Sequence, residues 1–221
     1  MNLSFTKQIM RTVMGLLEIP VVTVLLLLMA ASVVIIGSFL VEIFTERRRM
    51  KEKIPVFVTE IEGQGVEAQK SRIADSGLLG RQKDALKALL DQAHMPADAR
   101  ESLAKQLLYE EEVHYRRIVA VTDMVVRIAP MFGLLGTLIP LGPGLMALSQ
   151  GDTATLAQSL TTAFDTTAAG LVAAAVCFVV GAFRKRWYDG YAAGLETIME
   201  ILLSGMKEAD GKGNVALKKE V

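Results

Sequence analysis

Asp165 is the residue whose setting most asks for a chemical explanation. It interrupts a long uncharged stretch, with Thr153–Phe164 before it and Thr166–Phe183 after it. At helical spacing, Thr155, Gln158, Ser159, Thr162, Asp165 and Thr166 fall within an arc of about 120°. The opposite face and the inner half of that helix are dominated by Leu, Val, Ala and Phe. An ionisable group in hydrocarbon is costly, so such a stripe must face protein or a water-filled cavity and marks an ion or substrate path. A second reading sets Asp165 at the outer interface, where it only caps or is solvated. Arg184, the marker of the inner boundary, is about 28 Å away along a helix, which puts Asp165 in the outer half.

A second group of residues stands in the run Ala129-Pro130-Met131-Phe132-Gly133-Leu134-Leu135-Gly136-Thr137-Leu138. Gly133 and Thr137 share a helix face, and Gly136, Pro140 and Gly144 extend a ridge of small residues. Small residues let helix backbones approach closely in lipid, where no hydrophobic force drives association. Pro140 and Pro143 should kink the outer end and free carbonyls, which is tolerable where they line a cavity. Packing alone is the other reading of these positions. No nucleophile–base pair, phosphate loop or metal-ligand spacing accompanies them: Cys177 is the single cysteine, and His94 and His114 are too far apart for an i,i+4 pair. An enzyme is therefore not expected, nor a metal or cofactor.

The elements that must hold these residues are membrane helices. The chain has 221 residues, 52% of them apolar, and its 24 basic residues balance 24 acidic ones. Zero net charge argues against a nucleic-acid partner, and the charges are segregated from long uncharged runs. The first run, Ile19–Val41, reaches roughly 34 Å at ~1.5 Å per residue, enough to cross a ~30 Å hydrocarbon core. Spans at 128–150 and 153–183 follow. The first run is too long for a signal-peptide core and is followed by Glu46, Arg47, Arg48, Arg49 and Lys51. The basic run Arg47–Lys53, Arg116, Arg117 and Arg127 before the second span, and Arg184, Lys185 and Arg186 after the third give an N-terminus outside and a C-terminus inside, the link Ser149–Gln158 being free of Lys and Arg.

Residues 1–18 read as an outer interfacial amphipathic helix leading into the first span at Pro20. The segment 42–127 reads as an inside, cytoplasmic helical domain. Leu79, Leu86, Leu89, Leu90 and Ala93 recur at helical spacing, His94-Met95-Pro96 breaks the helix, and Asp98 offers a new start that continues into the second span. A short strand at VFVTEI is an open reading. Residues 184–221 form a cytoplasmic C-terminal helix with a polar tail. The fold class is thus an all-α integral membrane protein with three transmembrane helices and long cytoplasmic helical extensions.

The run APMFGLLGTL followed by TTAFDTTAAGLVAAA resembles the paired motifs of the ExbB/TolQ/MotA proton-channel family, over about residues 97–186. Three spans and a large loop between the first two resemble its ExbB/TolQ branch. The resemblance implies a ring, a homopentamer in the bacterial inner membrane, with the second and third spans around a pore. It also implies a single-span ExbD/TolR-like partner in that pore, and pore-facing threonines at Thr137 and Thr167. Ion flow, of protons by the family's pattern or else of sodium, would move the partner, as in protein transport or a molecular motor. The expected ion pathway is Thr137, Asp165, Thr167, Thr162, Thr166 and Ser159. Thr162 stands where many members of this branch carry an acid, and the PLGPG run and the proline-free AAAVCF stretch also depart from the pattern. A non-conducting membrane scaffold that organises other proteins is the alternative.

Overall fold

The computed structural model describes residues 3–49 and 54–217. Its elements are six helices: α1 (Leu3–Arg49), α2 (Ile54–Ile61), α3 (Val66–Asp75), α4 (Gly80–Asp91), α5 (Ala97–Ser149) and α6 (Thr153–Leu217). No strand occurs among the described residues. Three helices are long and apolar enough to cross a membrane, within Gly15–Thr45, Ala97–Ser149 and Thr153–Gly211. Together with the sequence pattern these make the chain a multi-pass membrane protein. Of the basic run after the first span, Lys51 and Lys53 lie outside the described residues.

The chain divides into two units, Met1–Leu40 with Val119–Phe183 and Val41–Ile118 with Arg184–Val221. The first contains the membrane helices. α1 runs unbroken through Pro20, so the expected outer helix and the first span are one element. A proline inside a membrane helix is tolerated where neighbouring helices, hydroxyl side chains and small local adjustments re-satisfy the backbone groups it frees. α5 likewise continues through Pro130, Pro140 and Pro143. A three-residue link with Gly151 at φ +81° turns the chain from α5 into α6, a left-handed conformation open to glycine at no steric cost. Asp152 then caps α6: its carboxylate accepts from the Thr155 N–H at 3.0 Å and from the Thr155 hydroxyl. These bonds hold the Asp152 carboxyl below its ordinary value.

The second unit has its own apolar core. Phe57 and Ile61 of α2, Ile73 of α3, Leu86, Leu89 and Leu90 of α4, and Leu195, Ile198 and Leu202 of α6 are all buried together. The VFVTEI segment is helical, not a strand. Phe57 and Ile61 lie one turn apart and both enter the core, with Ile54 and Val58 packed beside them, a helical spacing that outweighs β-branched propensity. Gln82 ties α4 down at both ends of its amide: its Oε1 accepts from Leu79 N–H and its Nε2 donates to the Tyr191 carbonyl.

This unit is also rich in cross-helix ion pairs. Arg81 bonds Glu111, which pushes the Arg81 guanidinium up from its ordinary value. Buried Arg100 bonds Asp210 and the Ala93 carbonyl. Glu42 accepts from Arg184 Nε at 2.8 Å and from the Tyr188 hydroxyl at 2.6 Å. Tyr188 in turn stacks on Tyr115, ring centres 4.6 Å apart.

Candidate functional site

Small residues set how closely α5 and α6 approach. A Cβ added to Gly170 would lie 2.6 Å from the Ala129 carbonyl oxygen and 3.0 Å from Gly133 Cα. One added to Gly133 would meet the Thr166 carbonyl at 3.3 Å and Gly170 Cα at 3.4 Å. Further along, Gly136 faces the Thr166 side chain, Gly144 faces Ser159, and Gly181 faces Thr122. These contacts form one antiparallel seam from Gly144 and Ser159 at the link to Thr122 and Gly181 at the other end. Direct backbone approach at Gly133 and Gly170 is what glycine permits and alanine does not.

The seam sorts the polar residues into three groups. Ser159 and Thr166 turn into it. Thr166 is buried and returns its hydroxyl to the Thr162 and Ala163 carbonyls of its own helix, so both serve packing. Thr137 and Thr167 lie on one flank of the seam. Thr137 follows Gly136 by one residue, and Thr167 follows Thr166 by one; in antiparallel helices these 100° steps turn toward the same side. Thr167 donates a long hydrogen bond, 3.4 Å, to the Gly133 carbonyl across the seam, while Thr137 donates to the Leu134 carbonyl at 2.6 Å. Exposed Leu134, Leu138 and Leu171 surround them on this flank.

Thr162 and Asp165 fall on the opposite flank, roughly 140° and 160° round α6 from Thr167. Both are exposed in the single protomer, and the Thr162 hydroxyl is occupied by the Gln158 carbonyl. α1 packs on this side: Ile35 and its neighbours join Val125, Ala129, Ala173, Cys177 and Val180 in a buried cluster, and Phe39 meets Phe183. The stripe expected as a single path is thus divided by the packing of α5 on α6. The structure brings Thr137 and Thr167 to one side and leaves Asp165 away from them.

Pro140 is half-buried and Pro143 exposed within a continuous α5. Among the described residues no cluster of His, Cys, Asp or Glu is arranged to hold a metal ion.

Sequence reasoning passed over Gly170 and Gly181, although both sit in the uncharged run and are spaced by three helical turns. A search for polar residues in membrane helices does not weigh glycines whose partners lie on another helix. It also treated Arg184 as a boundary marker, with no sign of its bond to Glu42.

No curated protein matches this chain. The sequence model of the MotA/TolQ/ExbB proton channel family matches residues 69–197, a stretch that takes in α4, the whole of α5 and α6 through its seam with α5.

Proposed function

The chain belongs to the MotA/TolQ/ExbB proton channel family, and on that footing we propose that it is the ring-forming ion-channel subunit of an energy-transducing inner-membrane complex. This is a family of channels and not of enzymes. The observation that carries the more specific reading is the placement of Thr137 and Thr167 together on one flank of the glycine-packed α5–α6 pair. In a ring of copies that flank faces inward. The two hydroxyls then supply polar groups to a path otherwise lined by Leu134, Leu138 and Leu171. Each hydroxyl also satisfies a helix carbonyl, so it can rotate toward water or an ion without leaving a donor stranded.

The central partner in this reading is a single-span, ExbD/TolR-like protein whose carboxylate takes up the transported proton. One charge crossing 100 mV supplies ~2.3 kcal/mol, enough to exchange a polar contact or two at each step and so to shift a weakly held ring around its partner. In this reading the N-terminus lies outside and the C-terminus in the cytoplasm, an orientation that the basic residues flanking the spans support. Asp165 and Thr162, on the other flank, face the neighbouring copy, because lipid offers neither group a partner.

Native mass measurement of the complex extracted from membranes tests the assembly. A pentamer with a smaller membrane protein bound is expected; a monomer has no pore and would remove the reading.

A further inference from the structure

α5 carries two charges at a depth where α1 and α6 carry none. Gly181 lies within the uncharged α6 run Thr166–Phe183, and a Cβ placed on it would sit 3.2 Å from Thr122 Cγ2 and 3.8 Å from Asp123 Oδ1. Asp123 is therefore level with the end of that run. Arg127, one turn further along α5, lies about 6 Å deeper, alongside residues that are wholly apolar on both neighbouring spans. Asp123 and Arg127 are exposed in the protomer. Among the described residues neither forms an ion pair.

Their direction round the helix matters as much as their depth. The two are i,i+4 on one face and lie within roughly 80° of Thr137. α1 covers the other side through Val125 and Ala129. A carboxylate and a guanidinium exposed to hydrocarbon are strongly disfavoured, whereas a water-lined cavity accommodates both. Next to them, Thr122 is 1% exposed and its hydroxyl has no hydrogen-bond partner among the described residues. A buried hydroxyl in that state calls for a partner, and in a wet mouth water from the Asp123 side would supply it.

We propose that Asp123 and Arg127 line a hydrated mouth of the ion path, where a monovalent cation, the proton included, exchanges between bulk water and the Thr137–Thr167 stretch. The proposal rests on the path assigned above. A lone carboxylate at this depth would hold a cation too tightly to pass it on; the guanidinium one turn away offsets that attraction, giving a site that binds enough to admit and weakly enough to release. The mouth is a feature of this chain's own residues and needs no second charged group from α1 or α6.

The test uses the complete complex in membrane vesicles, in a Cys177→Ala background that removes the single native cysteine. Asp123→Cys and Arg127→Cys are each treated with a membrane-impermeant, positively charged methanethiosulfonate, with Val33→Cys, exposed on apolar α1, as the lipid-facing control. Labelling at 123 and 127 about tenfold or more faster than at 33 is expected, since a thiol in water forms the reactive thiolate and meets the charged reagent, whereas one in hydrocarbon does neither. Labelling as slow as at 33 would place both side chains in lipid and overturn the proposal. So would a disulfide between copies at either position in place of labelling, which would make the pair a subunit contact. Asp123→Asn should lower ion flux about tenfold, and unchanged flux would remove its role in exchange. Labelling requires no flux, so a wet mouth in a complex that conducts nothing would refute the channel reading while leaving the mouth standing.

Discussion

Gly170→Ala should weaken the protein even though alanine is the better helix former. In an exposed helix interior the exchange is worth up to ~1 kcal/mol in alanine's favour. At Gly170 the added Cβ meets the Ala129 carbonyl oxygen at 2.6 Å and Gly133 Cα at 3.0 Å. Both are backbone atoms, so no rotamer change relieves the overlap. α5 and α6 would have to part by roughly 0.5 Å or more over the contact, forfeiting a quarter to a half of the attraction between the atoms that line it. Overpacking of this kind costs about 1–3 kcal/mol, which exceeds the propensity gain. Gly142→Ala is the internal control, because nothing lies within 4 Å of a Cβ there. Gly194→Ala is a second control: its Cβ would meet only the tip of the flexible Ile54 side chain. Thermal unfolding in one detergent, read through Trp187, should place Gly170→Ala a few degrees below the parent chain and Gly142→Ala at or above it. If Gly170→Ala were as stable as Gly142→Ala, the close approach of α5 and α6 at Gly133 and Gly170 would be refuted.

Three further outcomes follow from the same geometry. Glu42→Gln or Arg184→Gln alone should cost about 3 kcal/mol, since each leaves a nearly buried charge without its counter-charge; the double variant should recover part of that loss in the same thermal assay. Thr155→Val should raise the Asp152 pKa toward its ordinary value by removing the hydroxyl that lowers it most. Because the folded-state value is depressed, the cap's contribution is present above the unfolded value near 3.8 and fades as pH falls through the folded one; the variant should lose it at higher pH, as titration of that carboxyl by NMR would reveal. Asp165→Asn should reduce the recovery of intact oligomer more than it reduces flux per assembled complex, and the opposite ranking would return Asp165 to the path.

Much of the architecture was legible because the bilayer constrains it. Runs nearly free of charge and long enough to cross a bilayer pointed to three spans, and Pro96 with Asp98 marked where α5 begins, at Ala97. The paired GLLGT and TTAAGL motifs pointed to the family. What could not be read was anything that depends on how one helix turns against another. The stripe containing Ser159, Thr162, Asp165 and Thr166 is continuous on a helical wheel. Only the Gly136–Thr166 and Gly144–Ser159 contacts show that part of it is consumed by packing. Arg127 looked like the residue before a span, because charge in one helix marks depth only when its neighbours' register is known. Residues 56–61 carry β-branched side chains whose propensity was ambiguous until burial of Phe57 and Ile61 fixed the period. Gly170 carried no polar signal at all.

Proton flux into liposomes holding the complete complex, driven by a potassium diffusion potential, is the most direct test of the ion path. The parent complex should acidify the lumen, Thr167→Val and Thr137→Val should each suppress that flux with the oligomer intact, and Ser159→Ala should leave it unchanged. Flux that persists in the Thr137→Val, Thr167→Val double variant, or no flux from the intact complex, would contradict the account.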